Sequence, residues 1–227
     1  MSGPLYHGVC WYPELCSEDV WREDIAAMRS LGINLVRMGD FLWSTVEPER
    51  GKFDFSLFLR AADALHAAGI RFILTTGTAA PPVWFTYQHP ERCHADGRGV
   101  MSHGSRLHAC INNPDFHQAV AQMLEKYAAA LGSHPGLLMW QIDNEIKSQV
   151  GDCLCASCRE QWHGWLKARY GGIGTLNDAW TADIFSQTYQ SFDQVPQPLP
   201  TPFLHNPSLL TAYHRFTMET AADYAAM

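Results

Sequence analysis

Two passages repeat one event at equivalent places in the chain. Leu31-Gly32-Ile33 and Ala68-Gly69-Ile70 each close a stretch of helical periodicity with a glycine and open directly into an apolar run of strand length. Such a handover, made twice, reads as successive β-α units, the crossover that parallel strands require. Upstream of the first passage, Ser17 stands as N-cap, Glu18 and Asp19 fall in the first turn, and Trp21, Ile25 and Met28 share one face. The pattern predicts strands over 6–10, 33–38 and 70–75, with helices before residues 32 and over 57–68. Pro114 suits N1 of a further helix reaching about 131, and 132–136 turns that helix into a fourth strand at Leu137.

The short connections lie between helix and strand, and the long ones follow strands. Residues 76–113 form an irregular stretch punctuated by Pro81-Pro82, Pro90, Gly97, Gly99 and Gly104. Loops of that length in a compact domain are usually functional, and α/β folds bind ligands beyond the C-terminal ends of their strands. No Gly-x-Gly-x-x-Gly follows the first strand, and no glycine-rich lysine loop is present. The expected fold class is therefore α/β, a (β/α)8 TIM barrel rather than a doubly wound sheet. Only about four of the eight strands are visible, so residues 1–227 are expected to be the first half of such a barrel. A Pro-rich loop over 194–207 leads to a helix beginning at Pro207, with no domain linker between.

A net charge of -7 argues against nucleic-acid phosphates as partner, and no apolar run approaches the roughly 20 residues a membrane helix needs. The N-terminus lacks a basic segment followed by an apolar one, so seven cysteines are expected as reduced thiols of a cytoplasmic protein, with metal binding ahead of disulfides. Eight tryptophans and eight tyrosines could line the flat faces of sugars, but an aromatic core is the simpler expectation for each.

The fourth strand, Leu137-Leu138-Met139-Trp140-Gln141-Ile142, ends abruptly in Asp143-Asn144-Glu145. Glu145 would then stand at the mouth of a site, with Asn144 beside it. A carboxylic acid there can protonate a leaving oxygen when burial or a neighbouring carboxylate keeps its proton in place. Asn144 could hold a sugar hydroxyl through its amide, and Asp143 could equally cap the loop. Arg106 offers five fixed donors for hydroxyls or a carboxylate, or is simply a surface residue of its loop. Arg37 and Asp40, after the second strand, suit a structural ion pair better than catalysis. Cys153-x-Cys155-x-x-Cys158 places three thiols within six residues, a spacing that fits tetrahedral Zn2+. Cys110 could be a fourth ligand if the fold brings it near, and four thiolates would leave the ion no open position, making it structural. Unrelated buried cysteines remain the alternative. Cys10, Cys16 and Cys93 show no ligand spacing.

Several segments appear in an order that resembles glycoside hydrolase family 42 β-galactosidases: Gly8-Val9-Cys10-Trp11-Tyr12-Pro13-Glu14, Val36-Arg37-Met38-Gly39-Asp40-Phe41-Leu42-Trp43, Glu47-Pro48, Pro81-Pro82-Val83-Trp84, Gly104-Ser105-Arg106 and Trp140-Gln141-Ile142-Asp143-Asn144-Glu145, with the cysteine triplet and Ala179-Trp180. The resemblance implies that Glu145 is the acid/base catalyst, that Asn144 and Arg106 contact substrate, and that Cys110, Cys153, Cys155 and Cys158 ligate zinc. It implies a retaining enzyme acting on galactosides, assembled as a homotrimer at full length. The chain departs from the family at Leu15-Cys16 and at Phe185, where a tryptophan is common, and the family's nucleophilic glutamate would lie beyond Met227. The 227 residues alone are thus expected to show little or no glycosidase activity. Two alternatives stay open: a non-catalytic, zinc-stabilised sugar-binding or assembly module, and a related glycosidase acting on arabinosides.

Overall fold

The computed structural model describes residues 5–227. In chain order these form β1 (Gly8–Cys10), α1 (Glu18–Ser30), β2 (Leu35–Met38), α2 (Trp43–Val46), α3 (Ser56–Ala67), β3 (Arg71–Thr75), α4 (Val83–Thr86), β4 (Ala95–Asp96), β5 (Gly99–Val100), α5 (Pro114–Leu131), β6 (Leu137–Gln141), α6 (Ala156–Tyr170), α7 (Ile173–Trp180) and α8 (Pro207–Ala226). The chain divides into two units: the described residues up to Phe85 with Ala119–Ile146, and Thr86–Gln118 with Lys147–Met227.

The first unit is built on a parallel sheet in the order β1-β2-β3-β6. Strand order follows chain order without reversal, the progression of a barrel; a doubly wound sheet would turn back at a switch point. Gly8 pairs with Leu35, Leu35 with Arg71, and Leu74 with Trp140, with a register shift between Phe72 and Ile73. Val36, Met38, Phe72 and Leu74 point to one face and are fully or almost fully buried, as are Phe58, Ala61, Ala62 and Leu65 of α3. Each large side chain of this layer contributes about 1.5–3 kcal/mol by leaving water. Tyr127 of α5 packs edge-on against Trp140 at 5.0 Å. The opposite face, carrying Arg37, Ile73, Met139 and Gln141, is half-open, and Met139 is 53% exposed.

The repeated glycines end their helices as the sequence predicts. Gly32 and Gly69 adopt φ of +72° and +74°, a left-handed conformation that a side chain would strain. The Ile33 amide donates to the Met28 carbonyl at 2.9 Å, and Ile70 repeats this to Leu65 at 2.9 Å. Both ends are Schellman motifs, and each following isoleucine is buried at the root of its strand.

The second unit holds the elaborated loops. The stretch expected to be irregular contains the β4-β5 hairpin and a bridge between Cys93 and Ala109. Trp162 of α6 is fully buried, stacked on Trp165 at 5.4 Å and against Tyr213 and Phe216 of α8 at 5.0 and 5.6 Å. Five of the eight tryptophans are buried, so the aromatic richness is mainly core. No helix among the described residues is long and apolar enough to cross a membrane.

Candidate functional site

β6 delivers its last residues into an unusual turn. Asp143 and Glu145 both adopt left-handed backbone, with φ of +51° and +55°, on either side of Asn144. Each non-glycine residue in that region costs roughly 1–2 kcal/mol, so surrounding bonds must hold the conformation. The Asp143 amide donates to Thr76 Oγ1 at 2.7 Å, and the Asn144 amide to Asp143 Oδ1 at 2.5 Å. From beneath, Gln141 Nε2 donates to the Asp143 carbonyl at 2.9 Å, while Gln141 Oε1 accepts from Arg37 Nη1 at 3.0 Å. Arg37 in turn lies 3.2 Å from the buried Asp40 carboxylate, the ion pair expected from sequence. The relay Asp40–Arg37–Gln141–Asp143 thus pins the turn. Asn144 is half-buried and Glu145 exposed, placing an amide and a carboxyl side by side where a ligand can reach them.

Sequence reasoning missed Gln141, because a polar residue closing a strand carries no distinguishing pattern. It also missed the polar group below. Glu14 Oε2 and the Tyr127 hydroxyl are buried without a hydrogen-bond partner among the described residues, and the buried Asp40 oxygens have the Arg37 ion pair but no hydrogen bond. Burial pushes the Glu14 carboxyl above its ordinary value, and the Asp40 charge adds to it. Burial, then Glu14 and Asp40, drive the Tyr127 hydroxyl well up.

Arg106 belongs to the second unit, half-buried in a bend whose next residue, Leu107, has φ of +61°. His108 fastens that bend: Nδ1 donates to the Ser105 carbonyl at 2.7 Å, leaving Nε2 to accept from Thr86 Oγ1 at 3.5 Å. Burial lowers the His108 pKa and keeps the ring neutral.

The fold brings Cys110 to the cysteine triplet. The four sulfurs are buried, unbridged and within 4.8 Å of one another, so they could hold a metal ion. Cys110 Sγ lies 3.4 Å from Cys155 Sγ and 3.5 Å from Cys158 Sγ. Cys155 accepts from the Cys158 amide as N-cap of α6, and the Tyr213 hydroxyl donates to the Cys153 carbonyl at 2.6 Å. Hydrogen bonds to Cys153, Cys155 and Cys158, with burial, raise the Cys110 thiol well above its usual range. Cys155 is brought down to about 7, chiefly by Cys110. Protons are thus unequally shared among four crowded sulfurs, a condition a cation would relieve.

The family model for glycoside hydrolase family 42, described as Beta-galactosidase, matches residues 10–227. The chain belongs to glycoside hydrolase family 42. Within it, the chain is 50% identical over 222 residues to Beta-galactosidase YesZ of Bacillus subtilis (strain 168), covering 97% of this chain and 34% of that protein. It is 38% identical over 219 residues to Beta-galactosidase Bga of Halorubrum lacusprofundi, covering 96% and 31%. The solved polyextremophilic β-galactosidase from the Antarctic haloarchaeon Halorubrum lacusprofundi superposes with a TM-score of 0.93 at 37% identity, covering 97% of this chain and 33% of that one. The family 42 chain therefore spans about a third of the length of the curated relatives it matches. Its solved neighbours are TIM barrels, and its own sheet supplies four parallel strands of that fold.

Proposed function

We propose that this chain is the N-terminal part of the catalytic barrel of a retaining β-galactosidase that hydrolyses terminal β-D-galactosides. The pinned turn carrying Asn144 and Glu145 at the end of β6 is the observation that most supports this, in a family whose named relatives are β-galactosidases. Glu145 protonates the departing glycosidic oxygen and then activates water as base. Asn144 binds a sugar hydroxyl, and Arg106 supplies further donors to the substrate. The nucleophile is a second carboxylate from a later strand, about 5–5.5 Å from Glu145 as retaining chemistry requires. Full-length assembly as a homotrimer follows from the family resemblance.

Cys110, Cys153, Cys155 and Cys158 hold a structural Zn2+. Sulfurs 2.3 Å from a tetrahedral ion lie about 3.8 Å apart, close to the 3.4 and 3.5 Å separations here. With four thiolate ligands the ion has no open position and only braces the loops that carry the cysteines.

An aryl β-D-galactoside tests the catalytic assignment. The 227 residues alone should release no aryl alcohol. The same chain continued into a complete barrel should release it with β-galactose as first product, and Glu145→Gln should cut that turnover by roughly 10²–10⁴-fold. Inverted product, or turnover insensitive to Glu145→Gln, would overturn the proposal.

A further inference from the structure

Among the described residues, each of the four sulfurs receives at least one N–H. The Ala95 amide points at Cys153 Sγ at 3.5 Å, the Cys158 amide at Cys155 Sγ at 3.5 Å, and the Asn112 amide at Cys110 Sγ at 3.4 Å. The fourth donor is a side chain: Asn112 Nδ2 lies 3.3 Å from Cys158 Sγ. Asn112 therefore addresses two sulfurs that are 48 positions apart in the chain, and it is only 6% exposed.

Its placement is fixed from both sides. Gln161 Nε2 donates to the Asn112 carbonyl at 2.6 Å. The next residue, Asn113, caps α5, its Oδ1 accepting from the Asp115 and Phe116 amides at 2.9 and 3.2 Å. The carboxamide is thus presented to sulfur by a backbone with little freedom to swing away.

Four thiolates around one divalent cation leave a net charge of -2 in a buried place. N–H dipoles aimed at the sulfurs spread that charge and hold the sulfurs in place around the ion. We propose that Asn112 is a positioning residue for metal retention, its side chain supplying the fourth N–H···S contact of the cluster. This rests on the assignment of zinc to the four cysteines. Of these four donors, only the Asn112 carboxamide can be removed by substitution without moving the main chain.

The zinc-loaded protein, with Asn112→Ala, Asn112→Asp and Gln161→Ala as variants, is mixed with a chromophoric chelator and the release rate followed. Cobalt-substituted samples give the sulfur-to-metal charge-transfer band, and circular dichroism checks the fold. Asn112→Ala should release zinc about 10–100-fold faster than wild type, the range for loss of such an outer contact, with a shifted charge-transfer band. Asn112→Asp, of the same shape but placing a negative acceptor against Cys158, should be faster still. Gln161→Ala, which frees the Asn112 carbonyl without touching a sulfur, should move both readouts in the same direction as Asn112→Ala but by less. Folded Asn112 variants with wild-type release and an unchanged band would overturn the inference; if Asn112→Asp does not fold, Asn112→Ala decides. A wild-type protein that takes up no stoichiometric zinc or cobalt would instead overturn the metal assignment itself, and this inference with it.

Discussion

The sheet unit and the loop unit are held together by different means. In the first, β2, β3 and β6 pair through main-chain ladders, and a continuous buried layer of Val36, Met38, Phe72 and Leu74 backs them. In the second, the strands β4 and β5 are two residues each; the helices α6, α7 and α8 share a core around Trp162, while the cysteine-bearing loops are fastened by the four sulfurs and the Tyr213 bond to the Cys153 carbonyl. Ladder and layer tolerate small losses because they are redundant. Loops fastened at a few points depend on each of them, so the thiol cluster should matter to the cysteine-bearing loops of the second unit as no single residue matters to the sheet.

Additivity offers the sharpest contrast. Trp162→Ala and Phe72→Ala should each cost about 3–5 kcal/mol, as fully buried aromatic truncations do. If the four cysteines hold zinc as proposed, the two should differ once the metal is chelated. Trp162 packs on Tyr213, which bonds the Cys153 carbonyl, so its loss and metal removal share a partner and should couple by about 0.5–3 kcal/mol. Phe72→Ala should cost the same with and without metal. Denaturant melts of the four combinations would break the comparison if Phe72 coupled and Trp162 did not.

Glu14 gives a smaller test within the sheet unit. Its folded-state pKa is raised above the ordinary 4.5, so protonated Glu14 favours the fold below that value, and the contribution disappears as pH rises through the raised value. At pH 7 the half-buried carboxylate, its Oε2 shielded from water, opposes folding. Glu14→Gln should therefore stabilise the protein at neutral pH by less than about 1 kcal/mol, because solvent screens the half-buried carboxyl, and the gain should vanish near pH 4. A gain that grew on acidification would contradict the sign.

Much of the sheet unit was legible because its signals are local. Gly32, Gly69 and Pro114 mark helix ends by conformations or missing donors that those residues supply themselves. β1 begins at Gly8, two residues after the expected start, with the His7 carbonyl accepting from the Asn34 and Leu35 amides just ahead of it. The ion pair of Arg37 with Asp40 was legible from their spacing, whereas its continuation to Gln141 joins residues 104 positions apart. The cysteine triplet could be read from its spacing. The placement of Cys110, and the turn of Asn112 toward Cys158, depend on long-range closure that no local pattern encodes.

Hydrogen exchange with and without a zinc chelator tests the contrast most directly. Metal removal should strip protection from the amides around 95–112 and 153–166 while those of β2, β3 and β6 exchange as before. Equal loss of protection in both regions, or none in either, would contradict an account in which four sulfurs fasten the cysteine-bearing loops and the main-chain ladder the sheet.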